Sequence, residues 1–538
     1  MVFARRSTTL LAAIIASCAM VLSLTACTSD NKTVVDGQTT VTSNSAGGVA
    51  VFTPSDGITL NQQMPLNKWA KLVPDLTKAL VDAGFKKGDI NHTTSDSLDK
   101  QSRAIQDFVV DHLSNNTTDD SGIAIAPDNM TLLVAPVVEA DASTRQYGDY
   151  VSQNLSTNDV TDEGATSDGE SSEDDSSNTE SDSTASDEQA QAVDRLVSSL
   201  KLAKESGMHV VLLGNSIEGY KPDAFVKFSD AQTIGKLQAE KMVSKLKLDK
   251  ASKDNPKYIE VLLPYTAMDE KGNANDSTFA QEAFRGIWQV LGSYYQKGVV
   301  ESPSGTLDGK STENDWQAVA YDAAKEGSTA KVLDKRLAKT DGQSTLTRID
   351  GIITMNDYIA SEVVKELDDL GYTGSAADIN PQITISGIVG NITGKKDLSR
   401  DAVPDPIKSP ENDNANDSSS SDDDADKDTS ASDKDRDSQW PLVTGYGAYV
   451  SNIPSIVNGK QWMTGMEDRQ TIATDIAQAC AKLNKDEALN SMPSIRNSEV
   501  GGVKKIPTIS EPLLAVSASN LKSALIDPGY ISLADAGL

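Results

Sequence analysis

From about residue 48 to the end of the chain, short apolar runs alternate with longer stretches of helical spacing. Val49–Phe52 is an unbroken apolar run and predicts a buried strand. Trp69, Leu72, Val73, Leu76 and Leu80 then recur at helical spacing, with Gly84 as a stop. Pro74 falls inside that stretch, where it either kinks the helix or marks its first turn. Leu98, Ile105, Phe108, Val109 and Leu113 predict a second helix, Met130–Val134 a strand, and Val193, Leu196, Val197 and Leu200 a helix over 188–206. Strands at His209–Leu213 and Phe225–Phe228 follow.

The pattern then repeats. A helix over 230–247 leads to strand Tyr258–Leu263, then to a helix over 277–296 with Ala280, Phe284, Ile287 and Leu291 on one face. A helical stretch over 313–338 precedes strand Gly351–Thr354, a helix over 357–370 and strand Ile383–Ser386. Last come strand Leu442–Thr444, a helix over 448–458, strand Trp462–Met466 and a helix over 469–483. Strand and helix alternating at this spacing predict an α/β protein with parallel sheets covered on both faces. So many elements exceed one ordinary core, so two doubly wound lobes are expected, with ligands beyond the carboxyl ends of the strands.

Three stretches stand outside this pattern. Arg5 and Arg6 precede an apolar run from Leu10 to Leu24 that is short for a membrane span and suits a signal peptide. The run ends in Leu24-Thr25-Ala26-Cys27, which resembles the bacterial lipobox, whose cysteine carries the lipid after cleavage. Residues 1–26 are therefore expected to be a signal peptide. Residues 27–47 then form a Thr/Ser/Asn/Gly-rich tether lipidated at Cys27, the anchor to the outer face of the membrane. The other two stretches are acidic: residues 156–188 carry twelve Asp or Glu and no Lys or Arg, and 401–437 carry thirteen acidic residues against four basic ones. Together they hold more than two-thirds of the formal net charge of −30. Too poor in large apolar side chains to offset chain entropy, they are expected to be solvated, disordered insertions.

The chemistry of the remainder is sparse. Beyond Cys18 in the signal and Cys27, Cys480 is the one other cysteine; it continues the helical face of Ile472, Ile476 and Leu483 and reads as a buried small hydrophobe. Three histidines and no His-Glu-x-x-His or Cys-x-x-Cys pattern speak against a metal site, and no cofactor is expected. Gly305-Thr306-Leu307-Asp308-Gly309-Lys310-Ser311 has three residues between its glycines where a phosphate loop needs four. Asp422, Asp424, Asp426 and Asp428 alternate like calcium ligands, but Lys427 replaces the required glycine and Asp433 the closing glutamate. No basic patch stands out, so nucleic acid is not an expected partner. No enzymatic constellation stands out, so an enzyme is not expected.

Several fragments resemble the type I periplasmic-binding-protein family, especially the xylose- and ribose-binding proteins of ABC importers. These are Phe228-Ser229-Asp230 followed by Ile234–Ala239, Asp350–Asp357, Gly502–Pro507 with Glu511-Pro512, and Gly529-Tyr530. The resemblance implies a two-lobed fold with three hinge crossings. Lobe 1 would span 48–225 and return over 467–504; lobe 2 would span 226–466 and take the tail 505–538. It implies a small polar ligand, a sugar, captured between the lobes and delivered to a membrane permease. A receptor of the same fold that signals rather than transports is the alternative.

Carried over by position, the implied ligand residues are Trp69, Asn215, Asp230, Ser277, Thr278, Asn356, Asp357 and Tyr446. Aromatic faces and planar hydrogen-bonding groups of this kind suit a sugar. Trp69 equally continues the apolar face of its helix, and Asp230 and Asn356-Asp357 equally suit helix caps. The chain departs from the family where an Asp-Arg pair is usual, having Gly214-Asn215 instead. It also lacks the carboxylate of the family's "GQD" turn, where the two possible alignments place Val389 or Gly447.

Overall fold

Gly48–Pro54 forms β1, next to the edge strand of the first of two main sheets in a computed structural model of the protein. Residues 34–35, 38–39, 46–55, 65–115, 125–138, 142–156, 180–268, 275–323, 325–338, 345–377 and 439–538 are described. The expected signal peptide, Cys27, the strand at Ile383–Ser386 and the insertion 401–437 lie outside them, as does most of the insertion 156–188. Within the tether, Val34–Val35 pairs antiparallel with Gln38–Thr39.

Lobe 1 adds α1 (Trp69–Asp82), β2 (Ile90–Ser95), α2 (Leu98–Asn115), β3 (Met130–Val134), α3 (Glu180–Glu205), β4 (His209–Leu213) and β5 (Ala224–Lys227). Strand β1 lies between β2 and β3, and β4, β5 and a returning strand extend the parallel sheet beyond β3. Every residue of β3 is buried, as a strand covered on both faces must be. Strand β2, Ile-Asn-His-Thr-Thr-Ser, carries no apolar alternation; it is an edge strand, and its polar pattern hid it from the sequence reading. Pro74 sits inside α1 at its sixth residue rather than in the first turn. Helix α3 begins at Glu180, inside the stretch expected to be disordered; its first residues, rich in Ser, Asp and Glu, carry no apolar period that would mark a helix in the sequence.

Lobe 2 contains α4 (Ala231–Leu246), β6 (Lys257–Val261), α5 (Thr278–Gln296), β7 (Val300–Glu301), α6 (Ser328–Arg336), β8 (Gly351–Ile353), α7 (Asp357–Leu370), β9 (Leu442–Val443) and β10 (Met463–Met466). Its sheet has the order β7-β6-β8-β9, all parallel, the same winding as lobe 1. The helical stretch expected over 313–338 is instead a single turn at Trp316–Val319, a strand at Ala320–Tyr321, and then α6. Helices α4 and α5 touch through glycine: a Cβ on Gly286 would lie 2.0 Å from the Gln232 carbonyl oxygen, and one on Gly235 would lie 2.2 Å from that of Ala283.

Three crossings join the lobes. The chain passes from β5 to α4 near Ser229 and from β10 to α8 (Arg469–Leu483) near Glu467. It then pairs β11 (Ile495–Val500) antiparallel with β12 (Val503–Ser510) at the lobe 1 sheet edge, and returns through Glu511–Leu513 to β13 (Leu514–Ser517), antiparallel to β10. The expected boundaries shift by a few residues: Phe225, Val226 and Lys227 pair with Thr508, Ile509 and Ser510, so both stretches belong to the lobe 1 sheet. Sheet membership is decided by hydrogen bonding across the strand, which apolar runs alone do not mark. Cys480 is fully buried on α8, where burial pushes its thiol pKa up, and among the described residues it is free.

Candidate ligand site at the seam between the lobes

The carboxyl ends of both sheets meet at the crossings, and the seam is unusually polar for a buried region. Strand β8 is followed by Thr354, Met355 and Asn356. Met355 takes a positive φ of 69°, uncommon for a side chain of its size, and its carbonyl accepts a 2.9 Å bond from Gln238 Nε2. The turn aims Asn356 at α7: its Oδ1 caps the helix by accepting from the Ile359 N–H at 2.9 Å. Its Nδ2 is left to face lobe 1, where it donates to Gln146 Oε1 at 3.1 Å.

Asp357 is fully buried but faces the interior of lobe 2. It accepts from Gln461 Nε2 at 2.7 Å, from Thr464 Oγ1 at 2.9 Å and from the Tyr449 N–H at 2.9 Å. Burial pushes its carboxyl pKa up to about 6, although these donors favour the charged form. Its lone pairs are therefore spent on holding the 446–464 turn, not on a cleft ligand.

Tyr446, three residues past β9, is fully buried. Its hydroxyl bonds Ser229 Oγ in the first crossing and reaches Glu467 Oε1 in the second at 3.4 Å. The Glu467 carboxylate also accepts from the Ser229 N–H at 2.6 Å, tying two crossings together. Burial pushes the Glu467 pKa up to about 7, and burial with the nearby Glu467 charge raises that of Tyr446 well above the usual phenol range. Sequence reasoning passed over Glu467 and Ser229, since one carboxylate among 79 acidic residues carries no signal until the crossings bring it to the centre.

The remaining candidates scatter. Trp69 is 2% exposed and packs edge-on against Tyr150 and Phe228, with ring centroids 5.1 and 5.7 Å away, so it serves as core. Asn215 is buried, accepting from the Gln153 N–H at 3.0 Å and donating to the Pro136 carbonyl at 2.9 Å. Asp230 caps α4 through the Thr233 N–H and pairs with Lys227; burial works against its charge, but these bonds win and hold its pKa below the usual carboxylate value. At the start of α5, Thr278 is exposed and bonds Asp276, while Ser277 accepts from Gln281. Their neighbour Phe279 faces the seam, its ring 4.7 Å from that of Tyr147. The structure thus brings Asn356 and Tyr446 together with Ser229, Glu467, Tyr147, Phe279 and Tyr449, and directs Asp357, Asp230, Trp69 and Asn215 to internal partners.

No family model and no curated protein matches the chain. Solved structures do. An ABC transporter solute-binding protein from Clostridium phytofermentans with bound β-D-glucose is 17% identical, covers 91% of this chain and 99% of its own, and has a TM-score of 0.45. A carbohydrate transporter solute-binding protein from Chloroflexus aurantiacus in complex with D-glucose is 18% identical, with coverage of 92% and 98% and a TM-score of 0.44. A sugar ABC transporter from Actinomyces odontolyticus is 11% identical, with coverage of 89% and 97% and a TM-score of 0.42. These are partial likenesses; the two-lobed architecture above rests on strand order and crossings rather than on them.

Proposed function

We propose that this chain is an extracytoplasmic solute-binding lipoprotein of an ABC importer. It would capture a small polar ligand, a sugar, between its lobes and deliver it to a membrane permease, anchored by a lipid on Cys27. The observation that carries the reading is the seam. Two separately packed parallel sheets present buried polar and aromatic side chains of both lobes to one another, across three crossings short enough to act as a hinge. The order of family-like motifs along the chain supports it, as does the lipobox-like Leu24–Cys27. Among the described residues no helix is long and apolar enough to cross a membrane, and no cluster of three metal-ligating side chains occurs. The function is read as binding, not catalysis.

The test is thermal unfolding against a panel of pentoses, hexoses and nucleosides. A true ligand at a hundred times its Kd stabilises the folded form by about 2.7 kcal/mol, a rise of several degrees. A flat response across the panel would reject the sugar reading. Anchoring is checked separately: Cys27→Ala should move the protein out of the membrane fraction or leave it unprocessed. A variant that stays membrane-bound with its signal cleaved would refute the lipid anchor.

A further inference from the structure

The segment 142–155 belongs to lobe 1 by chain order, lying between β3 and α3, yet its middle is built into lobe 2. Tyr147 is 1% exposed and belongs to the apolar cluster of the lobe 2 sheet, with ring centroids 4.7 Å from Phe279 and 6.3 Å from Tyr446. Its neighbour Gln146 is held twice by lobe 2. Its Oε1 accepts from Asn356 Nδ2 at 3.1 Å, and its backbone carbonyl accepts from the Tyr449 hydroxyl at 2.7 Å.

The rest of the segment is tied to lobe 1. Asp149 accepts from Lys68 Nζ at 2.7 Å and from the Trp69 N–H at 3.0 Å, and its own N–H donates to the Asn67 carbonyl at 2.8 Å. The Tyr150 hydroxyl donates to the Lys68 carbonyl, and its ring stacks on Phe228 at 4.9 Å. The Gln153 N–H donates to Asn215 Oδ1 at 3.0 Å, and the Ser152 N–H to the Ser229 carbonyl at 3.1 Å. Between the two halves stands Gly148, at φ +94° and so close to Asn67 that a Cβ would sit 2.6 Å from its carbonyl oxygen. Only glycine makes that reversal without displacing the segment.

In a two-lobed binder the closed form becomes the dominant one when something supplies contacts to both sides at once. Here a covalently attached segment supplies them, without the translational cost a free ligand bears. The side-chain amide of Asn356, aimed across the seam, is satisfied by the chain itself. We propose that residues 142–155 are a built-in strap that occupies the seam and holds the lobes closed with no ligand bound. A ligand must then displace Gln146 and Tyr147 to reach Asn356, Phe279 and Tyr446; this last clause rests on the function proposed above, while closure by the strap does not.

The experiment is an interlobe distance measurement by double electron–electron resonance, with no ligand added. The full chain would carry Cys18→Ala and Cys27→Ala, leaving the buried Cys480 as its native thiol. Spin labels would sit on exposed positions of the two lobes, Lys201→Cys and Lys331→Cys. The expected result is a short interlabel distance, and an open population that rises about tenfold or more in Tyr147→Ala, since losing a buried partner costs about one power of ten or more. Gln146→Ala combined with Tyr449→Phe deletes hydrogen bonds while keeping the ring packed, and should open the lobes even where Tyr147→Ala does not fold. Ligand-free lobes that are already open, or variants that keep the starting distance, overturn the proposal. Because no sugar enters this measurement, a sugar panel that fails on both the starting protein and Tyr147→Ala counts against the sugar reading alone.

Discussion

The interiors of the lobes and the seam between them are equally buried and built from opposite materials. Inside lobe 2, Phe284, Ile287, Leu291, Ile259, Val261, Ile352 and Ile353 exclude water completely and ask nothing of their neighbours but shape. At the seam, Asn356, Tyr446 and Glu467 are as dry, yet each depends on a few named partners. Apolar packing is non-directional and spreads its contribution over many contacts. A buried polar network concentrates it in a few bonds, each costly to leave unmade. The lobes are thereby suited to stay whole, and the seam to exchange one set of partners for another.

The largest expected effect breaks the comparison on its apolar side. Phe284→Ala empties a site with 0% exposure beside Trp288 and should lower stability by about 3–5 kcal/mol, measured by denaturant unfolding. A loss under 1 kcal/mol would mean that the interior is far less tightly packed than its burial implies.

The next effect separates seam from interior by pH. Glu467 has its pKa pushed up from 4.5 to about 7 in the folded state. Between those values the folded chain keeps a proton that the unfolded chain has released, so stability falls as pH rises through the window and levels off above it. The full fall is about 3 kcal/mol. Asp357, raised from 3.8 to about 6, contributes with the same sign at lower pH, while His92 and His112, lowered by burial from 6.5, contribute with the opposite sign, so the Glu467 share is read as the difference from a Glu467→Gln variant. Glu467→Gln should flatten the profile between pH 6 and 7 and, below pH 6, leave the slope that Asp357 supplies. An unchanged slope would show that Glu467 is solvated.

Tyr446→Phe removes the hydroxyl shared by Ser229 and Glu467 while keeping the ring, and should cost about 1–3 kcal/mol. It should also raise the Glu467 pKa further by taking away a donor, which the same pH series reads. The smallest effect is at the margin: Asp230→Ala deletes a half-buried helix cap and should cost about 1 kcal/mol by the same unfolding assay. A loss as large as that of Tyr446→Phe would place Asp230 in the seam network instead.

The sequence by itself determined the parts of this protein that obey local rules. Apolar runs and helical spacing located β1, β3, β4, α5, α7 and α8 to within a residue or two, because burial on one stripe or both faces imposes a period that residues must follow. Caps such as Asp230 and Asn356 were legible for the same reason, being properties of one helix start. What only the tertiary structure decided was which polar groups face each other. The edge strand β2, the placement of β12 in the lobe 1 sheet, the inward turn of Asp357, and Glu467 and Tyr147 at the seam all depend on partners 41 to 400 residues away. A hydrogen bond leaves no period in the chain; it needs only that two distant groups arrive together, and that is settled when the lobes fold and meet.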